Sequence, residues 1–352
     1  MQTSCHRHKE PSVPESNNAT INRLQGLITA CHADLFDPSE RFALLNFPNH
    51  TNIGDSAIWL GALAYFDRHR TRPSYVSEMS TFDGDRMNAA IGHGRIFING
   101  GGNFGDVWPH YSPFRERLLS EYRGRPIVQM PQTIQFRSQE NIDSMARAIE
   151  KHGNFTLLVR DKRSFEFARL WFQCEVRMCP DMAFCIGPVK LGTPQHELLL
   201  NLRDDVEVGG AQDLTAATLR PGTVKSDWTD DPADFQRQTK HAAILKGLMT
   251  GRIGGRARMT ELAYRERAQQ RFDRGVELLS SARQVITDRM HGHIMSVLIG
   301  ADHCVLDNSY GKTSGFIEAW GTCNGAKAAL ASTVDDALTI LDARRVEQAA
   351  VA

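Results

Sequence analysis

An arginine and a histidine stand close together where a predicted strand ends and a helix begins. The β-branched run 285–287 leads into Arg289 and His291, and an apolar stretch typical of a buried helix follows at 294–299. The first turn of a helix carries unpaired N–H groups and the positive end of the helix dipole, so a cation there is unfavourable unless an anion joins it. We therefore predict that Arg289 and His291 bind a phosphate or a carboxylate, with a purely structural role as the alternative.

Two further cations follow other predicted strands in the same half of the chain. Arg203 comes directly after the apolar run 198–202, and Lys312 follows the run 304–306. The carboxyl ends of parallel strands meet at one edge of a sheet, so Arg203, Arg289 and Lys312 are expected to lie near one another. Three cations at one edge predict a pocket for a small, multiply charged anion.

His291 and His293 also form an H-x-H pair, a pattern found in some zinc sites. A zinc site needs at least three protein ligands, and no third ligand follows at a suitable spacing. The sequence therefore predicts no metal here.

Three consecutive glycines, Gly100, Gly101 and Gly102, follow the apolar run 95–99. One glycine is enough for a turn, and three are costly to order. We interpret them as a loop of backbone N–H groups that a ligand approaches closely, with simple turn formation as the alternative. The loop does not match a dinucleotide-binding loop, because no acidic residue that could bind a ribose stands at the right strand end.

Polar residues also follow the first predicted strand, at 42–47. Asn52 and Asp55 are predicted to face the cleft, and Gly54 between them would allow close approach to the backbone. The alternative is that Asp55 only caps the helix that follows. Asp181, just before the expected domain boundary, has the same two interpretations.

Short apolar runs alternate with helical stretches along the first half of the chain. Runs at 42–47, 95–99, 126–129 and 156–159 are followed by helical patterns, and the alternation restarts at 198–202. This order is typical of parallel sheets covered by helices, so we predict an α/β fold of two Rossmann-like domains that face a cleft. The predicted parts are a disordered tail at 1–20, an N-terminal Rossmann-like domain at 21–190, a C-terminal Rossmann-like domain at 191–325, and a C-terminal helix at 326–352 packing back on the first domain.

Composition excludes several classes of protein. The 352 residues include 41 Lys plus Arg and 41 Asp plus Glu, so no net charge attracts the chain to nucleic acid. The seven cysteines are an odd number, which favours reduced thiols over a disulfide framework. The polar N-terminus is unlike a signal peptide, and no apolar run is long enough to span a bilayer. We therefore expect a cytoplasmic protein.

Several short motifs occur in a fixed order from about residue 45 to 320. They are Asn52-x-Gly54-Asp55, Gly100-Gly101-Gly102, Pro131-Gln132, Arg160-Asp161-x-x-Ser164, Pro180-Asp181 and Arg289-x-His291. This ordered set resembles the polysaccharide pyruvyl transferase family. The resemblance implies a GT-B-like fold and transfer of the pyruvyl group of phosphoenolpyruvate to two hydroxyls of a sugar. The product would be a cyclic ketal in an exopolysaccharide or another cell-surface glycan.

The resemblance also implies roles for individual residues. The Arg-x-His motif of the family falls on Arg289 and His291, where it implies donor binding and catalysis, and its glycine-rich loop falls on 100–102. Ser56 departs from the pattern, because many relatives carry an acidic residue after Gly-Asp. The role of the loop around Ser56 and the identity of the acceptor therefore stay open.

The implied reaction matches the charges predicted above. Phosphoenolpyruvate carries a phosphate and a carboxylate close together, which suits the cluster of Arg203, Arg289 and Lys312. Ketal formation needs a proton at the methylene carbon of the donor. We predict His291 as the acid, because imidazole titrates near neutral pH.

The opposite side of the cleft is expected to bind the sugar. We predict Asn52 and Asn103 as acceptor-binding residues, and Asp55 or Asp106 as the group that receives the hydroxyl protons. The mechanism requires no cofactor and no metal. The predicted acceptor is a lipid-linked oligosaccharide met at the inner face of the membrane, which implies peripheral membrane contact.

Two other functions fit the same fold. A nucleotide-sugar glycosyltransferase would use the cationic pocket for a diphosphate, and a carbohydrate-binding protein would carry out no reaction. A rise in melting temperature with phosphoenolpyruvate or with a nucleotide sugar distinguishes a pyruvyl transferase from a glycosyltransferase.

Overall fold

A computed structural model of the chain describes residues 16–203, 213–228, 230–249, 255–307, 312–325 and 327–351. Two sheets form its framework, and all strand pairs in them are parallel. Each predicted apolar run named above contains a strand of one of these sheets. The predicted fold class, two Rossmann-like α/β units, is confirmed.

The first sheet contains the strands of the first half of the chain. They are β1 (Ala43–Leu45), β2 (Tyr75–Ser77), β3 (Ile96–Ile98), β4 (Gly101–Gly105), β5 (Ile127–Gln135), β6 (Phe155–Val159) and β7 (Glu175–Met178). Their spatial order is β2-β1-β3-β5-β6-β7, with β4 pairing β5 beyond the end of β3. The order reverses between β1 and β3, so the crevice at the carboxyl ends of these two strands is the expected ligand site.

The second sheet repeats this arrangement. Its strands are β8 (His196–Asn201), β9 (Thr223–Lys225), β10 (Ala282–Thr287), β11 (Asp302–Leu306) and β12 (Ala328–Ala331), in the order β12-β11-β10-β8-β9. Here the order reverses between β8 and β10. Residues 187–195 connect the two sheets.

Helices cover both sheets. Those of the first half are α1 (Asn17–His32), α2 (Ile53–Arg68), α3 (Gly84–Ile91), α4 (Tyr111–Glu121), α5 (Gln139–His152) and α6 (Lys162–Trp171), with 3-10 turns at Met79–Thr81 and Met182–Ile186. Those of the second half are α7 (Thr215–Thr218), α8 (Phe235–Met249), α9 (Arg256–Ser280), α10 (Met290–Ile299), α11 (Lys312–Trp320) and α12 (Val334–Val351). None of the helices in the described ranges is both long and apolar enough to cross a bilayer.

Helix α9 joins the two halves, because it packs against α2 and α10. Gly275 permits this close approach: a Cβ atom there would lie 2.6 Å from Cγ2 of Ile53 and 2.8 Å from Cε of Met295. Tyr264 of α9 stacks on Phe47 with a centroid distance of 4.1 Å. The large core cluster therefore runs through both halves and fixes them side by side.

Two predictions about the termini were wrong. Residues 17–20 belong to α1, whose N-cap is Ser16, rather than to a disordered tail, and residues 1–15 lie outside the described part of the chain. Helix α12 packs against β10, β11 and β12 of the second sheet, and among the described residues it makes no comparable contact with the first domain. Its buried residues Ala337 and Leu341 share a core cluster with strand residues of that sheet, so its apolar face is already covered there.

Candidate active site

A cavity of about 490 Å³ lies between the carboxyl ends of the two sheets, where both strand orders reverse. Residues from both halves of the chain line it. Among them are arginines from three strand ends: Arg160 after β6, Arg203 after β8 and Arg289 after β10. The size is in the range of small-molecule sites, about 300–1,000 Å³.

Buried polar contacts fix the end of β10 against β8. The Thr287 hydroxyl donates to Oδ1 of Asn201 at 3.0 Å and accepts from the backbone N–H of Arg289 at 3.1 Å. The Asp288 carboxylate accepts from the backbone N–H of Arg203 at 2.9 Å. These contacts hold the backbones of Arg203 and Arg289 side by side, and both side chains line the cavity.

The Arg289 guanidinium contacts both carboxylate oxygens of Asp227, with a distance of 2.5 Å from Nε to Oδ1. It also lies over the ring of Trp228, 5.7 Å from the centroid. An anion does accompany this cation at the helix N-terminus, as its charge requires. That anion is a carboxylate of the protein, which the sequence analysis did not foresee.

A series of side-chain contacts connects His291 to the first half of the molecule. Its Nε2 lies 3.4 Å from Oδ2 of Asp181, an ion-pair contact without the directed geometry of a hydrogen bond. The same Oδ2 accepts from Nη1 of Arg160 at 2.5 Å, and Nε of Arg160 donates to the Thr133 hydroxyl at 3.0 Å. Arg160, Asp181 and His291 therefore act as one unit.

Asp181 is completely buried, and its surroundings favour the charged form. Burial alone raises the pKa of Asp181, but the contacts with His291 and Arg160 and the N–H of Ala183 outweigh it and hold the pKa below its usual value. The carboxylate is thus a fixed negative charge directly behind the imidazole.

Gly54, in the first turn of α2, lies against the other side of His291. A Cβ atom on Gly54 would be 2.5 Å from Cγ and Nδ1 of the ring, far inside van der Waals contact. A side chain at this position would displace either the ring or the helix. The glycine predicted to permit close approach therefore does so, and His291 is the group that approaches.

The loop before α2 provides the polar groups on the first side of the cavity. Asn52 caps α2 by accepting from the N–H of Gly54, and its Nδ2 donates to Asp55 at 3.1 Å. His50 lies 3.5 Å from the same carboxylate. Asp55 lines the cavity, as predicted, and is not consumed by helix capping, which Asn52 performs.

Asn103 is held in one orientation by a buried arginine. Arg115 donates to both the backbone carbonyl and Oδ1 of Asn103, and Gln132 donates to the same Oδ1 at 3.2 Å. A guanidinium has only donors, so the contacted atom must be the oxygen, and the Nδ2 group of Asn103 is left for the cavity. Burial lowers the pKa of Arg115 to about 9, which still leaves it charged at neutral pH.

Aromatic side chains complete this side. Trp108 and Tyr111 line the cavity near Asp55 and Asn103. Burial, with a smaller effect of the Asp55 charge, raises the pKa of Tyr111 to about 12. The Tyr111 hydroxyl is therefore neutral and able to donate a hydrogen bond.

The three glycines do not form the loop that was predicted. Gly101 and Gly102 begin strand β4, and only Gly102 lines the cavity, where a Cβ would lie 3.4 Å from Nη2 of Arg160. Gly100 packs against the backbone of Pro131, and a Cβ on Gly100 would lie 2.6 Å from that carbonyl oxygen. Gly101 has a φ of +138°, a conformation that favours glycine. Each glycine thus has its own steric reason, and close approach to a ligand applies to Gly102.

The assignment of Asp106 to catalysis was wrong. Its carboxylate accepts from the N–H groups of Arg137 and Ser138 at 2.7 and 2.9 Å, and from Asn141 at 3.0 Å. It therefore holds the turn that precedes α5, and it is not among the residues that line the cavity. Spacing alone could not distinguish its role from that of Asp55.

Two other residues of the sequence analysis have definite outcomes. His293 points away from the cavity into a fully buried chain, with Nδ1 2.8 Å from Nε2 of His303 and Nε2 2.7 Å from the Thr322 hydroxyl. His291 and His293 therefore cannot share a metal. Lys312 begins α11, and its side chain lies outside the described part of the structure.

The sequence analysis did not assign Arg160 and Asp227 to the site, and it left Asp181 with two interpretations. Arg160 and Asp181 carried a detectable signal, since both belong to motifs of the family resemblance. Asp227 and Trp228 carried none, because they stand in an irregular stretch after β9. Their position becomes clear only when β9 pairs at the edge of the second sheet.

Comparisons with known proteins identify the family of the chain. Residues 52–310 match the polysaccharide pyruvyl transferase family. The chain is 28% identical to "Pyruvyl transferase 1" of Schizosaccharomyces pombe over 95% of its own length and 83% of the relative. It is also 28% identical to "Putative pyruvyl transferase EpsO" of Bacillus subtilis, over 85% of its own length and 89% of the relative.

A solved structure supports the fold. An uncharacterized protein of Klebsiella pneumoniae superimposes with a TM-score of 0.55 at 18% identity, over 89% of this chain and 98% of the other. The family match extends from Asn52 in the first half to a point beyond His291 in the second, so it includes both sides of the cavity. The chain belongs to the polysaccharide pyruvyl transferase family.

Proposed function

We propose that the protein transfers the pyruvyl group of phosphoenolpyruvate to two hydroxyls of a sugar residue and forms a cyclic ketal. The sugar would belong to an exopolysaccharide or another cell-surface glycan. The observation that carries the proposal is the convergence of Arg160, Arg203 and Arg289 around His291 in one cavity. Membership of the family and the names of the two relatives support pyruvyl transfer.

The three arginines suit the charges of the donor. Phosphoenolpyruvate carries a phosphate and a carboxylate on adjacent positions, and guanidinium groups bind both through paired hydrogen bonds. Arg160 is positioned for this task, because Thr133 and Asp181 hold two of its nitrogens while Nη2 lies over Gly102 at the cavity wall. We assign Gly102, Arg160, Arg203 and Arg289 to the donor side.

His291 is assigned as the general acid. Asp181 lies directly behind the imidazole, and Gly54 limits the movement of the ring. His291 transfers a proton to the methylene carbon of the donor, which becomes a methyl group. The carbon that bears the phosphate then acquires cation-like character.

Two sugar hydroxyls complete the reaction. The first attacks the cation-like carbon and passes its proton to Asp55. The bond between that carbon and the phosphate oxygen breaks, and the phosphate departs with the electron pair and takes up the proton held by Asp55, which restores the carboxylate. The second hydroxyl attacks the same carbon, and its proton restores His291. The products are one ketal and one phosphate, and every step is assigned to side chains, so the proposal includes no cofactor or metal.

The acceptor side is assigned to Asn52, Asp55, Asn103 and Tyr111, which line the cavity from the first half of the chain. Asn103 offers a fixed amide donor and Tyr111 a neutral hydroxyl, the groups that hydrogen-bond sugars. Trp108 adds an aromatic surface for a sugar ring. We further propose a lipid-linked acceptor at the cytoplasmic face of the membrane.

Calorimetry with a matched pair of variants tests the donor assignment. We expect phosphoenolpyruvate to bind the wild type, and nucleotide sugars not to bind. Arg203→Gln should weaken phosphoenolpyruvate about 10- to 100-fold, since a hydrogen bond to a charged group contributes about 1.5–3 kcal/mol. Arg117→Gln should have no effect, because Arg117 pairs with Glu121 on an exposed face of α4.

Product analysis completes the test. Incubation with phosphoenolpyruvate and a panel of glycosides should yield a ketal detectable by mass together with inorganic phosphate. Tight binding of a nucleotide sugar without affinity for phosphoenolpyruvate would instead identify a glycosyltransferase and would overturn the proposal.

A further inference from the structure

A second cluster of potential ligands lies outside the cavity, where the end of α1 meets the segment that follows β7. It consists of Cys31, His32 and Cys179, whose two sulfurs and one ring nitrogen lie within 4.8 Å of one another. None of the three lines the active-site cavity. Cys179 is completely buried and Cys31 is half-buried, so the cluster is inside the protein and not a surface patch.

His32 is the residue that makes this cluster unusual. Its ring is completely buried, and Nδ1 donates to the carbonyl of Ile28 at 2.9 Å. A donating Nδ1 leaves Nε2 as a bare lone pair, and Nε2 is buried without a hydrogen-bond partner in the described structure. An N–H donated to a backbone carbonyl is the arrangement that orients metal-binding histidines.

Arg177 fixes the end of α1 beside the two sulfurs. Its Nη1 donates to the carbonyl of Cys31 at 3.0 Å and to Oδ1 of Asp34 at 2.6 Å. The position of Cys31 next to Cys179 is therefore held by hydrogen bonds to its own backbone.

We propose that Cys31, His32 and Cys179 bind one zinc ion at a structural site separate from the active site. Two thiolates and a neutral imidazole are the ligand set that zinc prefers, and water or a further protein group would complete four-coordination. Zinc binding would give the buried Nε2 of His32 a partner. A disulfide between Cys31 and Cys179 would leave that nitrogen unpaired.

The proposed site connects two elements that support the active site. Cys31 and His32 end α1, while Cys179 stands two residues before Asp181, the carboxylate that contacts His291. A metal there would hold the segment 179–181 to α1. The three ligands come together only in the folded protein, so zinc binds the folded state and not the unfolded chain. We therefore expect zinc to raise the melting temperature.

The test measures bound metal directly. Wild-type protein, stripped with a chelator under reducing conditions, is titrated with Zn²⁺ and, separately, with Co²⁺. We expect one ion per chain at this site, thiolate-to-cobalt charge-transfer absorption, and a rise in Tm on adding Zn²⁺. Cys179→Ser and Cys31→Ser should each lose the charge-transfer band and the rise in Tm.

Cys174→Ser is the matched control, since it removes a half-buried thiol that is not part of the cluster. It should bind metal as the wild type does. His32→Gln tests the imidazole independently and should weaken Zn²⁺ at least tenfold. The N-terminal segment also contains Cys5, His6 and His8, so metal that survives unchanged in Cys179→Ser belongs elsewhere and overturns the proposal. Failure of the stripped wild type to bind either ion overturns it as well.

Discussion

Replacement of Gly54 by alanine tests whether the position of His291 controls the reaction. The added Cβ would lie 2.5 Å from Cγ and Nδ1 of the ring and 2.6 Å from its Cβ. Carbon atoms in ordinary contact are about 3.5–4.0 Å apart, so the ring or the first turn of α2 must move by about 1 Å. Displacement of a catalytic group by about 1 Å costs about 100-fold in rate.

The expected result for Gly54→Ala separates catalysis from binding. The single-turnover rate of ketal formation at saturating phosphoenolpyruvate should fall by about 100-fold. Donor affinity by calorimetry should change little, because none of the three arginines is altered. Overpacking of this kind usually costs about 1–3 kcal/mol, so the protein should remain folded with a lowered Tm.

Two other glycine-to-alanine variants serve as controls. Gly26→Ala adds the same methyl group to a helix where nothing lies within 4 Å, and it should leave the rate unchanged. Gly275→Ala crowds Ile53 and Met295 between the halves without touching His291, so it should lower Tm more than the rate. A wild-type rate in Gly54→Ala, or an equal loss in Gly275→Ala, would refute the reasoning.

Three further predictions concern the donor side and the buried histidine chain. Arg289→Lys should weaken phosphoenolpyruvate about tenfold or more in calorimetry, because lysine cannot reproduce a paired contact; unchanged affinity would remove Arg289 from the donor site. Gly102→Val should abolish donor binding without loss of fold, as its side chain would enter the cavity 3.4 Å from Arg160, and normal binding would place the donor elsewhere. Burial lowers the pKa of His303 to about 4 from 6.5, so the folded chain resists a proton that the unfolded chain accepts, and the free energy of unfolding decreases as the pH falls from 6.5 towards 4. That decrease should be about 3 kcal/mol in the wild type and smaller in His303→Gln, both measured by urea unfolding at several pH values. An identical pH dependence in the two proteins would contradict the prediction.

Sequence reasoning found the parts of the site that follow regular strands. The β-branched run before Arg289 and the apolar run before Arg203 each predicted a strand end, and parallel pairing then brings such ends to one edge. Spacing could also show that Gly54 needs close approach. It could not show that the approaching group is His291, because that contact joins residues more than two hundred positions apart.

Residues whose role depends on tertiary contacts were assigned wrongly or missed. Asp106 has the same sequence features as Asp55, and only the path of the chain after β5 shows that it holds the turn before α5. Asp227 reaches Arg289 from an irregular segment with no periodic signal. For α12, the sequence predicted a helix but not which of two similar sheets it covers; Ala337 and Leu341 pack on the second sheet.

Replacement of His291 by asparagine tests the central claim most directly. Asparagine keeps a polar side chain but cannot supply a proton near neutral pH. The measurement is the single-turnover rate of ketal formation at saturating phosphoenolpyruvate, with donor affinity determined on the same protein. General acid catalysis contributes about 10²–10⁴-fold, so the rate should fall within that range while the affinity stays close to that of the wild type. A nearly normal rate, or a loss of affinity that accounts for the whole loss of rate, would contradict the assignment of His291 as the acid.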